Sequence, residues 1–108
     1  MEKSYELREV GNKVVVRELK APTYEMKTVL VADELVVEGL FVAGLPFFVL
    51  KKDGKYVLCW YKAQELNVVQ GVEKYLVEND SIAYEHYGKW FLWHATGFSP
   101  LESEPLPL

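Results

Sequence analysis

Apolar and polar residues alternate along most of the chain with a period of two, which is typical of β-strands. The first alternating segments, Tyr5–Val10 and Lys13–Lys20, flank Gly11-Asn12, a dipeptide suited to a two-residue hairpin turn. The register of that turn places Leu7 opposite Val16 and Glu6 opposite Arg17. An apolar pair then lies on one face and an ion pair on the other, so we expect one solvated face.

A second hairpin is predicted over residues 46–62, around Asp53-Gly54, and it is apolar on both faces. Its two-residue turn pairs Leu50 with Val57, Phe48 with Cys59, Val49 with Leu58 and Phe47 with Trp60. A hairpin of this kind is either covered on both sides or presents one face to a partner.

A third hairpin is predicted over residues 82–95, with Gly88-Lys89 as its turn. The expected pairs are Tyr87 with Trp90, Glu85 with Leu92 and Tyr84 with Trp93. Aromatic pairs of this type stabilise antiparallel sheets. The second and third hairpins together contain all three tryptophans, so an antiparallel sheet is the main structural prediction.

The remaining segments predict two strands and a helix. Residues 26–31 and 35–42 are rich in β-branched side chains and predict strands that turn at residues 32–34, with Gly39 at a bend or bulge. In residues 64–79 the apolar side chains recur at intervals of three and four, which predicts an amphipathic helix. We therefore expect an α+β fold: one twisted antiparallel sheet of six or seven strands with this helix packed on one face.

The length of 108 residues and a hydrophobic fraction of 50% are typical of a single soluble domain, expected over residues 1–97. Residues 98–108 predict an acidic, Pro/Leu-rich tail. Cys59 is the only cysteine, which excludes an intrachain disulfide and favours a reducing, cytoplasmic location. Neither a signal peptide nor a stretch apolar enough for a membrane helix is expected. Few thermolabile residues are present, which points towards a thermophilic source.

Candidate catalytic and metal-binding groups are few. His86 and His94 project from opposite faces of the predicted third hairpin, so they cannot bind one metal ion. Cys59 lies within an apolar strand, without a histidine or helix end placed to lower its pKa. The glycines form no phosphate-binding loop, and the carboxylates show no paired spacing. We therefore expect no enzyme activity, no metal and no cofactor.

The sequence favours a noncatalytic protein-interaction module that forms a homodimer or binds another protein, because aromatic and apolar residues exceed the needs of a small core. The predicted interface comprises Phe47, Val49, Leu58, Trp60, Leu101, Leu106 and Leu108. The alternative is a protein that binds single-stranded DNA or RNA by stacking bases on strand aromatics beside lysines, although the net charge of −4 disfavours it. Its predicted residues are Lys51, Lys52, Lys55, Trp60, Tyr61, Lys62, Tyr87, Lys89, Trp90 and Trp93. A small enzyme without a recognisable motif is a third possibility.

Overall fold

In a computed structural model of the chain, residues 5–20, 25–62, 65–78, 80–94 and 97–101 are described, and their regular structure is entirely β-strand. The ten strands are β1 Tyr5–Val10, β2 Lys13–Lys20, β3 Glu25–Ala32, β4 Glu34–Val42, β5 Leu45–Lys52, β6 Lys55–Lys62, β7 Glu65–Val77, β8 Ser81–His86, β9 Lys89–His94 and β10 Gly97–Leu101. The α+β prediction is therefore wrong for these residues, and the fold is all-β.

The strands form two antiparallel sheets, which corrects the prediction of a single sheet. A small sheet has the order β1-β2-β3, and a large sheet has the order β10-β9-β8-β7-β6-β5-β4. Asp33 alone links the two sheets along the chain. Its backbone N–H donates to the Lys51 carbonyl over 2.8 Å, and its carboxylate accepts from the Asp53 backbone N–H over 2.9 Å. The linking residue is thus fixed to the turn of the second hairpin.

The large sheet is buried on both faces where it contains β5 and β6. On the face that carries Cys59, called here the Cys59 face, it packs against the inward side chains of the small sheet, such as Val14 and Val16. The opposite face, called the Trp60 face, encloses a second apolar cluster that reaches from β4 to β9. These two contacts explain why the second hairpin is apolar on both sides.

The large sheet is strongly rolled towards its Trp60 face. The rings of Phe47 on β5 and Trp93 on β9 are 4.8 Å apart between centroids, although three strands lie between β5 and β9 in the sheet order. Strands four positions apart in a flat sheet are about 19 Å apart. Rolling therefore brings the aromatic side chains of distant strands together in one core.

The first two hairpins have the predicted registers, including Leu7 opposite Val16 and Phe47 opposite Trp60. The third hairpin differs by two residues, because its turn is Tyr87-Gly88 and Glu85 lies opposite Trp90. Both turn residues have positive φ, 51° and 78°, as in the Asp53-Gly54 turn. Glycine therefore occupies the second turn position here, whereas the predicted Gly88-Lys89 turn has it in the first. A shift of two residues keeps every side chain on its predicted face.

The predicted helix over residues 64–79 is instead strand β7, Glu65–Val77. The pairing of β7 changes register between Tyr56 and Leu58 on the β6 side, and between Val72 and Lys74 on the β8 side. Each register change inserts an extra residue, so side chains that share a face are three residues apart instead of two. Val69, Val72 and Tyr75 all pack on the Trp60 face with this spacing. Two bulges in one strand thus imitate a helical period.

The strands predicted over residues 26–31 and 35–42 are confirmed within β3 and β4, but they do not pair with each other. The bulge expected at Gly39 is also confirmed, since the β4–β5 register shifts between Val37 and Leu40 and Gly39 has a φ of 77°. The first residues of the predicted tail belong to β10, which pairs with β9. Residues 102–108 lie outside the described residues.

Candidate functional site

The aromatic residues predicted to stack on bases are mostly buried. Trp60, Trp90 and Trp93 expose 6%, 6% and 4% of their surface, and Tyr61 is equally enclosed. Trp60 and Trp93 contact each other, with ring centroids 5.7 Å apart. Lys62 is exposed at the end of β6 that is remote from the Asp53-Gly54 turn. In this conformation none of the three indole rings is accessible to a base.

Four residues of the predicted protein interface are not at the surface. Phe47, Val49, Leu58 and Trp60 are all buried within the chain's own Trp60-face cluster. Leu101 is half-buried at the end of β10, whereas Leu106 and Leu108 lie outside the described residues. An interface between copies therefore cannot use these four buried side chains.

The lysines near the hairpin turns do come together at one end of the large sheet. Cross-strand pairing aligns five side chains in one row, called here the lysine row: Lys51, Tyr56, Val72, His86 and Lys89. Directly paired residues share a face, so the row crosses from β5 to β9 on the Trp60 face. It forms the rim of the aromatic core, at the end where the second and third hairpins turn.

Two tyrosines form an open groove beside this row. The rings of Tyr56 and Tyr75 meet edge to face with centroids 5.0 Å apart, and the Lys51 Nζ lies 5.7 Å from the Tyr56 ring. Partial burial and then the neighbouring Tyr56 raise the pKa of Tyr75. The groove has a volume of about 280 Å³, and its walls are Tyr56, Glu73, Lys74, Tyr75 and Leu76. Two aromatic rings thus line an open groove, and a cation lies over one of them.

Tyr87 stands at the tip of the third hairpin and is 78% exposed. Its ring lies 4.3 Å from that of His86, and its hydroxyl oxygen lies 3.8 Å from the point where a Cβ on Gly71 would be. The side chain therefore lies beside the bulge of β7, next to the tyrosine groove. Its backbone φ of 51° is in the left-handed region that non-glycine residues rarely adopt.

One ion pair crosses this end of the sheet. The Lys55 Nζ lies 2.6 Å from the Glu73 Oε1, and this hydrogen bond raises the pKa of Lys55. Because both groups are exposed, the pair adds little to stability. Among the described residues, no ion pair is formed by Lys51, Lys52, Lys74 or Lys89. Their charges are available to an anionic ligand.

A second surface is the outer face of the small sheet, which points away from the large sheet. Alternation from the inward Val14 and Val16 places ten side chains on it: Glu6, Arg8, Val10, Lys13, Val15, Arg17, Leu19, Met26, Thr28 and Val31. Val31 is 42% exposed and Val10 is 55% exposed, while Val15 and Leu19 are half-buried. The Glu6–Arg17 ion pair, 3.2 Å long, lies on the same face. The expected solvated face of the first hairpin thus carries an apolar patch.

Catalytic and metal-binding groups are not assembled in the part of the chain that is described. Cys59 is buried, and burial raises the pKa of its thiol to about 12, which keeps it protonated. No three metal-ligating side chains come together among the described residues. His86 and His94 lie on opposite faces, as alternation along β8 and β9 requires. Among these residues there is also no helix long and apolar enough to cross a membrane.

Sequence reasoning missed Tyr75 and the valines of the small sheet. Tyr75 lies in the segment that the sequence pattern predicts as a helix. The pattern does not show that the small sheet is a separate sheet, so it does not indicate which face of that sheet is exposed to solvent. The β-branched residues at 29 and 31 were a signal, because both flank the inward Leu30. The chain matches no protein-family model, no curated protein and no solved structure. The tyrosine groove with the lysine row and the outer face of the small sheet are therefore the features from which a function can be inferred.

Proposed function

We propose that this chain is a noncatalytic interaction module that pairs with a second copy through the outer face of its small sheet. The main support for this proposal is the apolar patch on that face, because its exposed valines do not pack in a core of their own subunit. Contiguous exposed apolar residues with a polar rim are typical of protein interaction sites. We also propose a cytoplasmic location, which suits a protein whose single thiol is unpaired.

A second copy is the partner that the charges of this face favour. Arg8, Lys13 and Arg17 lie on it together with Glu6, so the patch carries both signs of charge. A twofold axis through a patch with both signs allows the basic groups of one copy to face the acidic group of the other. A partner protein whose surface is strongly acidic or strongly basic would be repelled by the groups of like charge on this face. Self-association therefore fits better than binding to a strongly acidic or basic protein.

The area of the outer face of the small sheet limits the affinity that we expect for the dimer. Three strands spaced at about 4.8 Å, each with about seven residues, give roughly 350 Å² of flat surface per copy. This is less than half of the roughly 800 Å² that each partner buries in a standard stable interface. We therefore expect a weak dimer, with a dissociation constant of roughly 10 to 500 µM.

Sedimentation of the full chain over a range of concentrations tests this proposal. The mass should rise from 12.5 kDa towards twice that value as the protein concentration is increased to about 1 mM. Val31→Glu should hold the protein at the monomer mass, because it places a carboxylate among the apolar side chains of the patch.

Val36→Glu is the matched control, since Val36 on β4 is 37% exposed, close to the 42% of Val31, but lies on the other sheet. It should dimerise like the unmodified chain. A monomer at every concentration would refute the proposal. So would a dimer that survives Val31→Glu, since the interface would then lie elsewhere.

A further inference from the structure

The position of Tyr87 is not explained by the stability of the fold. Its ring is 78% exposed, so it contributes little to the core, and its positive φ is unfavourable for an aromatic residue. Asparagine or aspartate serves better at this turn position, as Asp53 does in the second hairpin. Residues held in unfavourable backbone conformations occur preferentially at binding sites. This combination suggests that the ring is placed for contact with a ligand.

The surroundings of Tyr87 offer a continuous surface. Lys55 is close enough for an electrostatic interaction with Tyr87, and it binds Glu73, which lines the tyrosine groove. On the other side of the hairpin tip, Lys89 is paired with His86 in the lysine row. An exposed ring, a groove with two further rings and lysines without ion pairs thus lie within one end of the sheet.

We propose that this end of the large sheet binds a nucleotide unit, with a base stacked on tyrosine and the phosphate held by lysine. Planar bases stack on aromatic side chains regardless of their identity, and lysines neutralise the adjacent phosphate. Tyr87 and the Tyr56–Tyr75 groove supply the rings, while Lys51, Lys74 and Lys89 supply the charge. This site is independent of the dimer face, which lies on the small sheet.

The number of lysines sets the expected salt dependence. Neutralisation of phosphates on a single strand gives a slope of log affinity against log salt of about −0.7 for each contact. Three contacts, through Lys51, Lys74 and Lys89, give a slope of about −2. The affinity should therefore fall roughly 20-fold between 50 and 200 mM salt.

The test measures the fluorescence anisotropy of a labelled oligothymidylate of about twelve nucleotides with the full chain, from 20 to 200 mM salt. The double variant Lys51→Ala/Lys89→Ala should reduce the slope from about −2 to about −0.7. Lys27→Ala is the matched control, because Lys27 is exposed on the small sheet. It should leave both affinity and slope unchanged.

Tyr87→Asn separates binding from folding. Asparagine tolerates the positive φ of this position, so the hairpin should remain intact while the ring is lost. The affinity for the oligonucleotide should fall about fivefold or more, as on loss of one stacking partner. Unchanged circular dichroism would show that the sheet is preserved.

A parallel titration with adenosine monophosphate, followed by NMR shifts of the Tyr87 and His86 side chains, distinguishes a free nucleotide from a single strand. Equal affinity for the two ligands would assign the site to single nucleotides, and a tenfold tighter oligonucleotide would assign it to a strand. Both outcomes support the proposal. No binding of either ligand at about 1 mM protein in low salt would overturn it, as would an unchanged affinity in Tyr87→Asn.

Discussion

The substitution Gly71→Ala distinguishes the observed strand from the helix that the sequence pattern predicts, because the two structures require opposite signs of the stability change. Gly71 lies in the bulged part of β7 with a φ of 72°. An L-residue in this left-handed region costs about 1–2 kcal/mol. In the interior of a helix, the same substitution would stabilise the protein by about 1 kcal/mol.

The loss of stability expected for Gly71→Ala arises from the backbone conformation alone. A Cβ on Gly71 would lie 3.7 Å from the His86 Nε2 and 3.8 Å from the Tyr87 hydroxyl oxygen, which are ordinary contact distances. No clash therefore adds to the conformational term. For a domain of this size, a loss of 1–2 kcal/mol corresponds to a Tm lower by roughly 4–8 °C.

Equilibrium unfolding in guanidinium chloride, followed by tryptophan fluorescence, measures the change, since all three tryptophans are buried. Gln70→Ala is the control, because Gln70 is the exposed neighbour in the same strand, and its free energy of unfolding should change by less than about 0.5 kcal/mol. A Gly71→Ala variant as stable as the parent chain, or more stable, would refute the assignment of a bulged strand.

Three further predictions concern the turns and the buried groups. Ala43 has a φ of 51° in the turn between β4 and β5, so Ala43→Asn should raise the free energy of unfolding by about 0.5–1 kcal/mol in the same denaturation assay, and a decrease would contradict the turn geometry. Tyr61→Phe removes the 2.9 Å hydrogen bond to the buried Glu18 and should cost about 1.5–3 kcal/mol, whereas Tyr75→Phe should be nearly neutral. The pKa of Cys59 is raised from 9.0 to about 12, so the stability that the protonated thiol contributes is complete below pH 9 and is lost as the pH rises towards 12. Cys59→Ala should therefore reduce the loss of stability between pH 9 and about 12. An unchanged dependence of the free energy of unfolding on pH would show that the thiol is not the cause. Alkylation of the native thiol at pH 8 should also be far slower than in the denatured chain.

The sequence predicts those parts of the fold that local turn chemistry determines. Asp53-Gly54 and Gly11-Asn12 are recognisable turns, and the alternation beside them gives the correct partners for Phe47 and Leu7. The third turn is ambiguous because Gly88 can occupy either central position, and the aromatic residues on both sides favour neither. The correct choice depends on the pairing of β8 with β7, which local pattern does not reveal.

The helix error and the missing second sheet have a common cause. Bulges at Gly71 and near Glu73 change the spacing of inward side chains in β7 from two to three, and only pairing with β6 and β8 fixes where they occur. The separation into two sheets depends on Asp33, whose hydrogen bonds to the second hairpin join residues distant in sequence. The periodicity of apolar residues along the sequence contains no information about such long-range contacts.

In the candidate sites, too, local features were predictable from the sequence and features that depend on long-range pairing were not. Exposed lysines near hairpin turns were predictable, since turns lie at the surface. The burial of Trp60 and Trp93 was not, because it results from the rolling of the large sheet. Tyr75 became part of a groove only once β7 was a strand next to Tyr56.

The four edge strands bear on how this chain avoids growing into fibrils. Exposed edges of regular backbone can recruit further strands without limit, and here each edge is interrupted. The β3 and β4 pairings carry register shifts, β1 presents charged residues, and β10 contains Pro100, which has no N–H to donate. Intermolecular contact is therefore directed to faces, where association ends with a closed pair, so a chain this rich in apolar β-structure can remain dispersed at high concentration.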